Sequence, residues 1–172
     1  MSALAPDTGL HYEEMAVGRE FETAAHTVSA AEVAEFARLT GDDNPLHVDP
    51  AAARRAGFPG VLAHGPLVQA LTIGLIAHTG IMRGTTVALL EVASTFHAPV
   101  FPGDTIRGVV RISRKRPTRS PDRGLLWRRV EILNQDDTVV ARLRMVALIR
   151  RLGADASDGN SSPASPASKG AA

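Results

Sequence analysis

A chain of 172 residues, 44% of them hydrophobic, holds one domain with a real core and is short for two. Its 19 basic and 18 acidic side chains leave a formal charge of +1, so neither nucleic acid nor an acidic membrane is expected as a partner. The lack of cysteine excludes disulfides, thiol nucleophiles and thiolate metal sites.

Residues 1–10 show no basic segment leading into an apolar run, so no secretion signal is read and a cytoplasmic protein is expected. This segment is expected to be flexible. Phe21 to Val28 is a candidate early strand. Ser29 followed by Glu32 fits a capping box, and Val33, Phe36, Ala37 and Leu39 continue with helical spacing up to Gly41. Gly41 to His47 has the composition of a helix stop followed by a tight, non-helical turn. Asp49-Pro50 opens a short helix, Ala51 to Ala56, which Gly57 closes. A third helix is expected from Gly65-Pro66 to about Thr79. It is apolar almost all round, so it should be buried by its surroundings. Its apolar stretch, Pro66 to Ala77, is too short to span a bilayer and contains Gln69 and Thr72.

The second half reads as strands. Thr86 to Val100 is long and apolar, and Pro102-Gly103-Asp104 makes a turn. Thr105 to Arg114, Leu125 to Leu133 and Val139 to Ile149 follow, separated by a loop at Pro117 to Gly124 and a turn at Asn134 to Asp137. Residues 153–172 are Ala, Ser, Gly and Pro with a few charges, the composition of a disordered tail. The folded domain is then 11–152. A buried helix followed by an antiparallel meander predicts an α+β fold with the sheet wrapped around the helix.

Two segments carry groups able to do chemistry. In Gly41-Asp-Asp-Asn-Pro-Leu-His47, a carboxylate and an imidazole five residues apart on a tight turn can converge on one small volume. Taken alone, the segment is also what an ordinary helix stop looks like. In Phe58-Pro-Gly-Val-Leu-Ala-His-Gly-Pro66, a glycine stands at the mouth of the buried helix. Backbone donors there face outward, and the helix dipole adds partial positive charge, which suits a developing oxyanion. The plainer alternative is that Gly65 only permits a sharp helix entry.

The segments Phe36-Ala-Arg-Leu-Thr-Gly-Asp-Asp-Asn-Pro-Leu-His47 and Phe58-Pro-Gly-Val-Leu-Ala-His-Gly65, with Phe96-His-Ala-Pro-Val-Phe-Pro-Gly-Asp104, resemble the MaoC-like dehydratase family, which includes the (R)-specific enoyl-CoA hydratases. The resemblance covers about Tyr12 to Arg150. It implies a hot-dog fold, an antiparallel sheet around one long helix. It implies homodimers or higher oligomers, and acyl-CoA or acyl-carrier-protein thioesters as substrates, with no metal or further cofactor. It passes the roles of water activation to Asp42 and His47, the oxyanion donor to Gly65, and loop support to Asn44. His64, beside Gly65, and Pro66 fall in the same substrate-binding segment. His64 reads as mainly structural, and Pro66 stands where many hydratases have a larger apolar residue. A serine that assists some members is replaced by Ile73.

The implied reaction interconverts trans-2-enoyl and 3-hydroxyacyl thioesters. A hot-dog thioesterase and a non-catalytic subunit of a heterodimeric dehydratase are the alternatives. The remaining histidines show no metal-ligand spacing. His97 lies in a strand and could line the pocket, with a packing role as its first reading; Asp43 reads as a solvated turn residue, and the face of Glu91 is open. The run Arg111, Arg114, Lys115, Arg116 and Arg119 reads as a solvated strand edge, with attraction of coenzyme A phosphates as a lesser reading.

Overall fold

A computed structural model describes residues 9–153. The flexible start and the disordered tail expected from composition lie almost wholly outside the described residues.

The helices come first. α1 spans Ala30–Thr40 and has the expected capping box: Ser29 Oγ accepts the Glu32 N–H at 3.1 Å, and the Glu32 carboxylate accepts the Ser29 N–H at 2.7 Å. These bonds, with His26 beside it, hold the Glu32 carboxyl below its usual range against the opposing effect of partial burial. Gly41 ends the helix in the left-handed region at φ 76°, with its N–H on Ala37 O.

The next segment departs from expectation. Pro45–Val48 is a one-turn helix, α2, and not a non-helical turn. Pro45 sits in its first turn, and Asn44 Oδ1 accepts the Leu46 N–H at 3.1 Å. Asp49 then caps α3, Pro50–Arg55, by accepting the Ala51 N–H at 2.7 Å. α4 spans Gly65–His78. No helix among the described residues is long and apolar enough to cross a membrane.

The sheet is antiparallel throughout. β1 (Glu20–Glu22) and β2 (His26–Thr27) both pair with β4 (Thr105–Pro117), so the single early strand expected is two short pieces. The order continues through β5 (Arg123–Leu133) and β6 (Val139–Arg150) to β3 (Thr86–Phe96) at the far edge. Alternation decides the inner face: Ile106, Gly108, Val110 and Ile112 of β4 and Leu126, Val130 and Ile132 of β5 are inward. α4 lies in this concavity on Leu67, Val68, Thr72 and Ile76. Gly108 marks the close approach, since a Cβ there would come 3.2 Å from the Thr72 methyl and 3.3 Å from that of Thr23.

α4 is less enclosed than its composition predicts. Pro66, Ala70 and Ala77 are exposed, because one sheet covers one side of a helix and these residues lie on the other. The edge strand β3 is open as well: Val87, Leu89, Leu90 and Phe96 are exposed. A second cluster joins Tyr12, Met15, Ile112, Leu126, Ala147 and Ile149, with the Tyr12 ring laid on Gly124.

The basic run is largely solvated, as expected, with Arg111, Arg114, Arg116 and Arg119 exposed, but its side chains also make contacts. Arg114 lies 4.8 Å over the Trp127 ring, Lys115 donates to Tyr12 O at 2.7 Å and sits 4.4 Å over its ring, and Arg111 pairs with Glu20 at 3.3 Å. Glu91 faces outward, and Asp43 is exposed.

The Ser29–Glu32 box fixes the first turn of α1. Ser29→Ala removes the acceptor for Glu32 N–H and is expected to cost about 1 kcal/mol, read as a lower urea midpoint with unchanged slope.

Candidate active site

Asp42 follows the left-handed Gly41, with its N–H on Thr40 Oγ1 at 3.3 Å. His47 lies on α2, five residues on. Its Nδ1 is 2.8 Å from Leu62 O, and a ring nitrogen facing a carbonyl must carry the hydrogen. In the neutral ring, Nε2 then holds the lone pair. Two backbone bonds place the strip that supplies this carbonyl: Leu62 N–H donates to Leu46 O at 3.0 Å, and Ala63 N–H donates to Val100 O at 2.8 Å.

His64 lies beneath. It is fully buried, and its Nε2 donates to the backbone carbonyl of Asp42 at 2.9 Å. Its ring stacks on His47 with centroids 3.8 Å apart and planes at 28°, and Phe36 closes its other side at 5.0 Å. The structure therefore removes His64 from direct substrate contact. It is a support joining the loop of Asp42 to the ring of His47. Its Nδ1 is buried and makes no hydrogen bond among the described residues.

One atom each of the Asp42 carboxylate and the two imidazoles lie within 4.8 Å of one another. One acid and two histidines are also a metal's donor set. His47 Nδ1 and His64 Nε2 each face a carbonyl, which leaves His47 Nε2 and His64 Nδ1 as the ring atoms with a lone pair.

Gly65 opens α4 directly after His64. Its N–H makes no hydrogen bond among the described residues, at the end of a 14-residue helix where the dipole is positive. The Phe96 ring lies against it so closely that a Cβ on Gly65 would fall 2.8 Å from the ring. A side chain at Gly65 would displace the Phe96 ring, so the glycine serves the contact with β3 as well as the helix entry. Beside it opens a cleft of about 400 Å³ with Phe58, Leu62, Val68, Phe96 and His97 in its wall. Asp42 and His47 lie outside this lining. Their backbone link to it is Leu62, whose carbonyl holds His47. Pro66 is exposed on the outer face of α4, away from the cleft.

His97 is exposed and lines two clefts, which favours pocket lining over its first reading as a packing residue. Sequence reasoning missed two features. Phe96 walls the glycine. Gln69, one turn beyond Gly65, hydrogen-bonds Ser94 and ties α4 to β3. An amide in an otherwise apolar helix was the available signal for the last.

The profile of the MaoC-like domain matches residues 13–125. The (R)-specific enoyl-CoA hydratase of Aeromonas caviae is 39% identical over 87 residues, covering 51% of this chain and 63% of that enzyme. The chain thus spans under two thirds of that relative's length. The crystal structure of a MaoC-like dehydratase from Rhodospirillum rubrum superposes with a TM-score of 0.74 at 30% identity, covering 83% of this chain and 98% of that one. A Mycobacterium tuberculosis protein described as a double hot-dog fold superposes with a TM-score of 0.74 at 22% identity, covering 90% of this chain and 47% of that one. The order of helices and strands, the sheet closed over α4 and the matched segment place the chain in one family: it belongs to the MaoC-like proteins and has the hot-dog fold.

Proposed function

We propose that this protein hydrates trans-2-enoyl thioesters and dehydrates 3-hydroxyacyl thioesters, with coenzyme A as carrier. The observation that carries this is the Asp42–His47 pair, held by Leu62 O and His64, next to the unbonded Gly65 N–H at the positive end of α4. The relative from A. caviae, an (R)-specific enoyl-CoA hydratase, supports it.

The chemistry follows from the groups present. Conjugation to the thioester makes the β-carbon electrophilic. His47 Nε2 takes a proton from water as its oxygen attacks that carbon. Asp42 orients the same water and helps pass the proton to the α-carbon. The carbonyl oxygen gains charge as the enolate forms, and Gly65 N–H with the helix dipole stabilises it. Dehydration runs the same steps in reverse.

We further propose that the working form is a homodimer joined along β3. This strand offers unpaired backbone at the sheet edge together with the exposed Val87, Leu89 and Leu90.

Asp42→Asn and His47→Gln are each expected to fold normally and to lower kcat by about 10²–10⁴-fold, followed as loss of enoyl-thioester absorbance with a parallel assay for free thiol. Release of thiol would point to a thioesterase. Silence that is relieved only by a co-purifying partner would point to a non-catalytic subunit. His64→Phe keeps the stack but drops the bond to Asp42 O, so kcat should fall while the melting temperature stays within a few degrees. Full activity in that variant would remove His64 from the positioning role. Leu90→Glu should shift the protein to monomer in light scattering; an unchanged dimer would place the interface elsewhere.

A further inference from the structure

The inward row of β5 reads Leu126, Arg128, Val130, Ile132, and its second member is charged. Arg128 is 5% exposed. The register sets it between Ile112 of β4 and Met145 of β6, both buried. Its Nη1 donates to Met82 Sδ at 3.0 Å, and a thioether is a weak acceptor. Its Nε is buried without a partner, and no carboxylate pairs with it among the described residues. Burial pushes its pKa down to about 10, so it stays protonated at neutral pH. A positive charge thus lies in an apolar row with no counter-ion, an arrangement that is strongly unfavourable unless an anion answers it.

Room for that anion lies alongside. A cavity of about 380 Å³ has Arg128 in its wall with Ile73, Ile76, Met82, Leu89 and Met145. Arg83, exposed, adds a second cation to the wall, and no acidic residue lines it.

The position of this cavity relates it to the active site. α4 carries Gly65 as its first residue and Ile73 and Ala77 eight and twelve residues later, about 12 and 18 Å along its axis at the rise of an α-helix. β3 runs beside it. Phe96 packs on Gly65, Ser94 bonds Gln69, and Leu89 shares the cavity with Ile73 and Ile76. Gly65 and the Arg128 cavity thus lie along the same seam of α4 and β3, which the Gln69–Ser94 hydrogen bond crosses between them.

We propose that this cavity receives the far end of the acyl group and that Arg128 binds a carboxylate there, so that the favoured substrates are ω-carboxyacyl thioesters. The site deepens the hydratase reading and rests on it for the position of the thioester. Nε is closed off by burial, whereas Nη2 makes no hydrogen bond among the described residues and is the nitrogen left to meet a carboxylate with a charge-assisted hydrogen bond. The apolar walls suit the methylenes between the two ends, and Arg83 draws the second charge inward.

The test compares methyl-ended trans-2-enoyl-CoA thioesters with ω-carboxy counterparts of equal length, over a series of lengths, for the wild type and Arg128→Met. At the length that spans the seam, the wild type should favour the carboxylate end in kcat/KM. Arg128→Met should reverse the order, losing about 10²-fold or more on the carboxylate-ended chain and accepting the methyl-ended one better than wild type does. A second measurement is independent of turnover: suberate, or a longer alkanedioate, should raise the melting temperature of the wild type and not of Arg128→Met. If both ends are hydrated equally and the variant behaves as wild type, the site is wrong and the hydratase stands. If no thioester reacts but the dioate stabilises only the wild type, the site stands and the hydratase falls. If Arg128→Met melts well below wild type and the dioate shifts neither, the counter-ion belongs to the protein assembly and the proposal is overturned.

Discussion

The geometry of the candidate site depends on the burial of one imidazole. His64 bonds the carbonyl of Asp42 through Nε2, lies flat under His47, packs its other side on Phe36 of α1, and through its own carbonyl accepts the Val68 N–H in the first turn of α4. α1, the loop of Asp42, α2 and the first turn of α4 all meet on this residue. Because the interior around it is close-packed, the ring has little freedom, and neither does the loop that hangs from it. The exposed Asp42 side chain thus owes its position to a bond its own backbone makes. This is the usual way to place a reactive group on a loop: the mobile part is short and its anchor is buried.

A second constraint is the closeness of α4 to the sheet. Gly108 beneath Thr72 and Gly65 against Phe96 are contacts that a methyl group would crowd. They bring the helix onto β4 at its middle and onto β3 at its start. The Gln69–Ser94 bond then holds the same seam one turn further on. The single chain leaves the outer face of α4 and the edge of β3 uncovered.

Much of this was legible in the residues. Ser29, Glu32 and Gly41 carry a helix start and stop whose chemistry is local, and the strands announce themselves by alternation. α2 was not recognised as a helix, although Asn44 and Pro45 are a cap and a first-turn residue. Four residues are too few to show a helical period, and turns use the same residues. The contact of His64 with Asp42 spans 22 residues of sequence and has no local signature. Nor does the packing of Phe96 on Gly65, which depends on a strand beginning some twenty residues after the glycine. Arg128 is a different case. Its inward place follows from counting by twos from Leu126, and it was obscured because its neighbours Arg129 and Trp127 make the stretch look amphipathic in either register.

That charged position is most informative when the two ends of α4 are taken together. At the first residue, Gly65, an unbonded N–H stands at the positive end of the helix dipole. Towards the other end, an apolar cavity ends on a guanidinium that no residue of the described chain neutralises. The negative end of the dipole offers Arg128 only a partial charge, and that effect fades within the last turn. A buried arginine kept only for stability would be poorly chosen, since an apolar side chain of similar volume would fill the row without the desolvation cost. The residue is better explained by what it discriminates: a methyl-ended chain leaves the guanidinium unanswered, whereas a carboxylate-ended one neutralises it. An uncompensated polar group in a binding cavity rejects the ligand that fails to pair with it far more strongly than an apolar wall rejects a ligand of slightly different size.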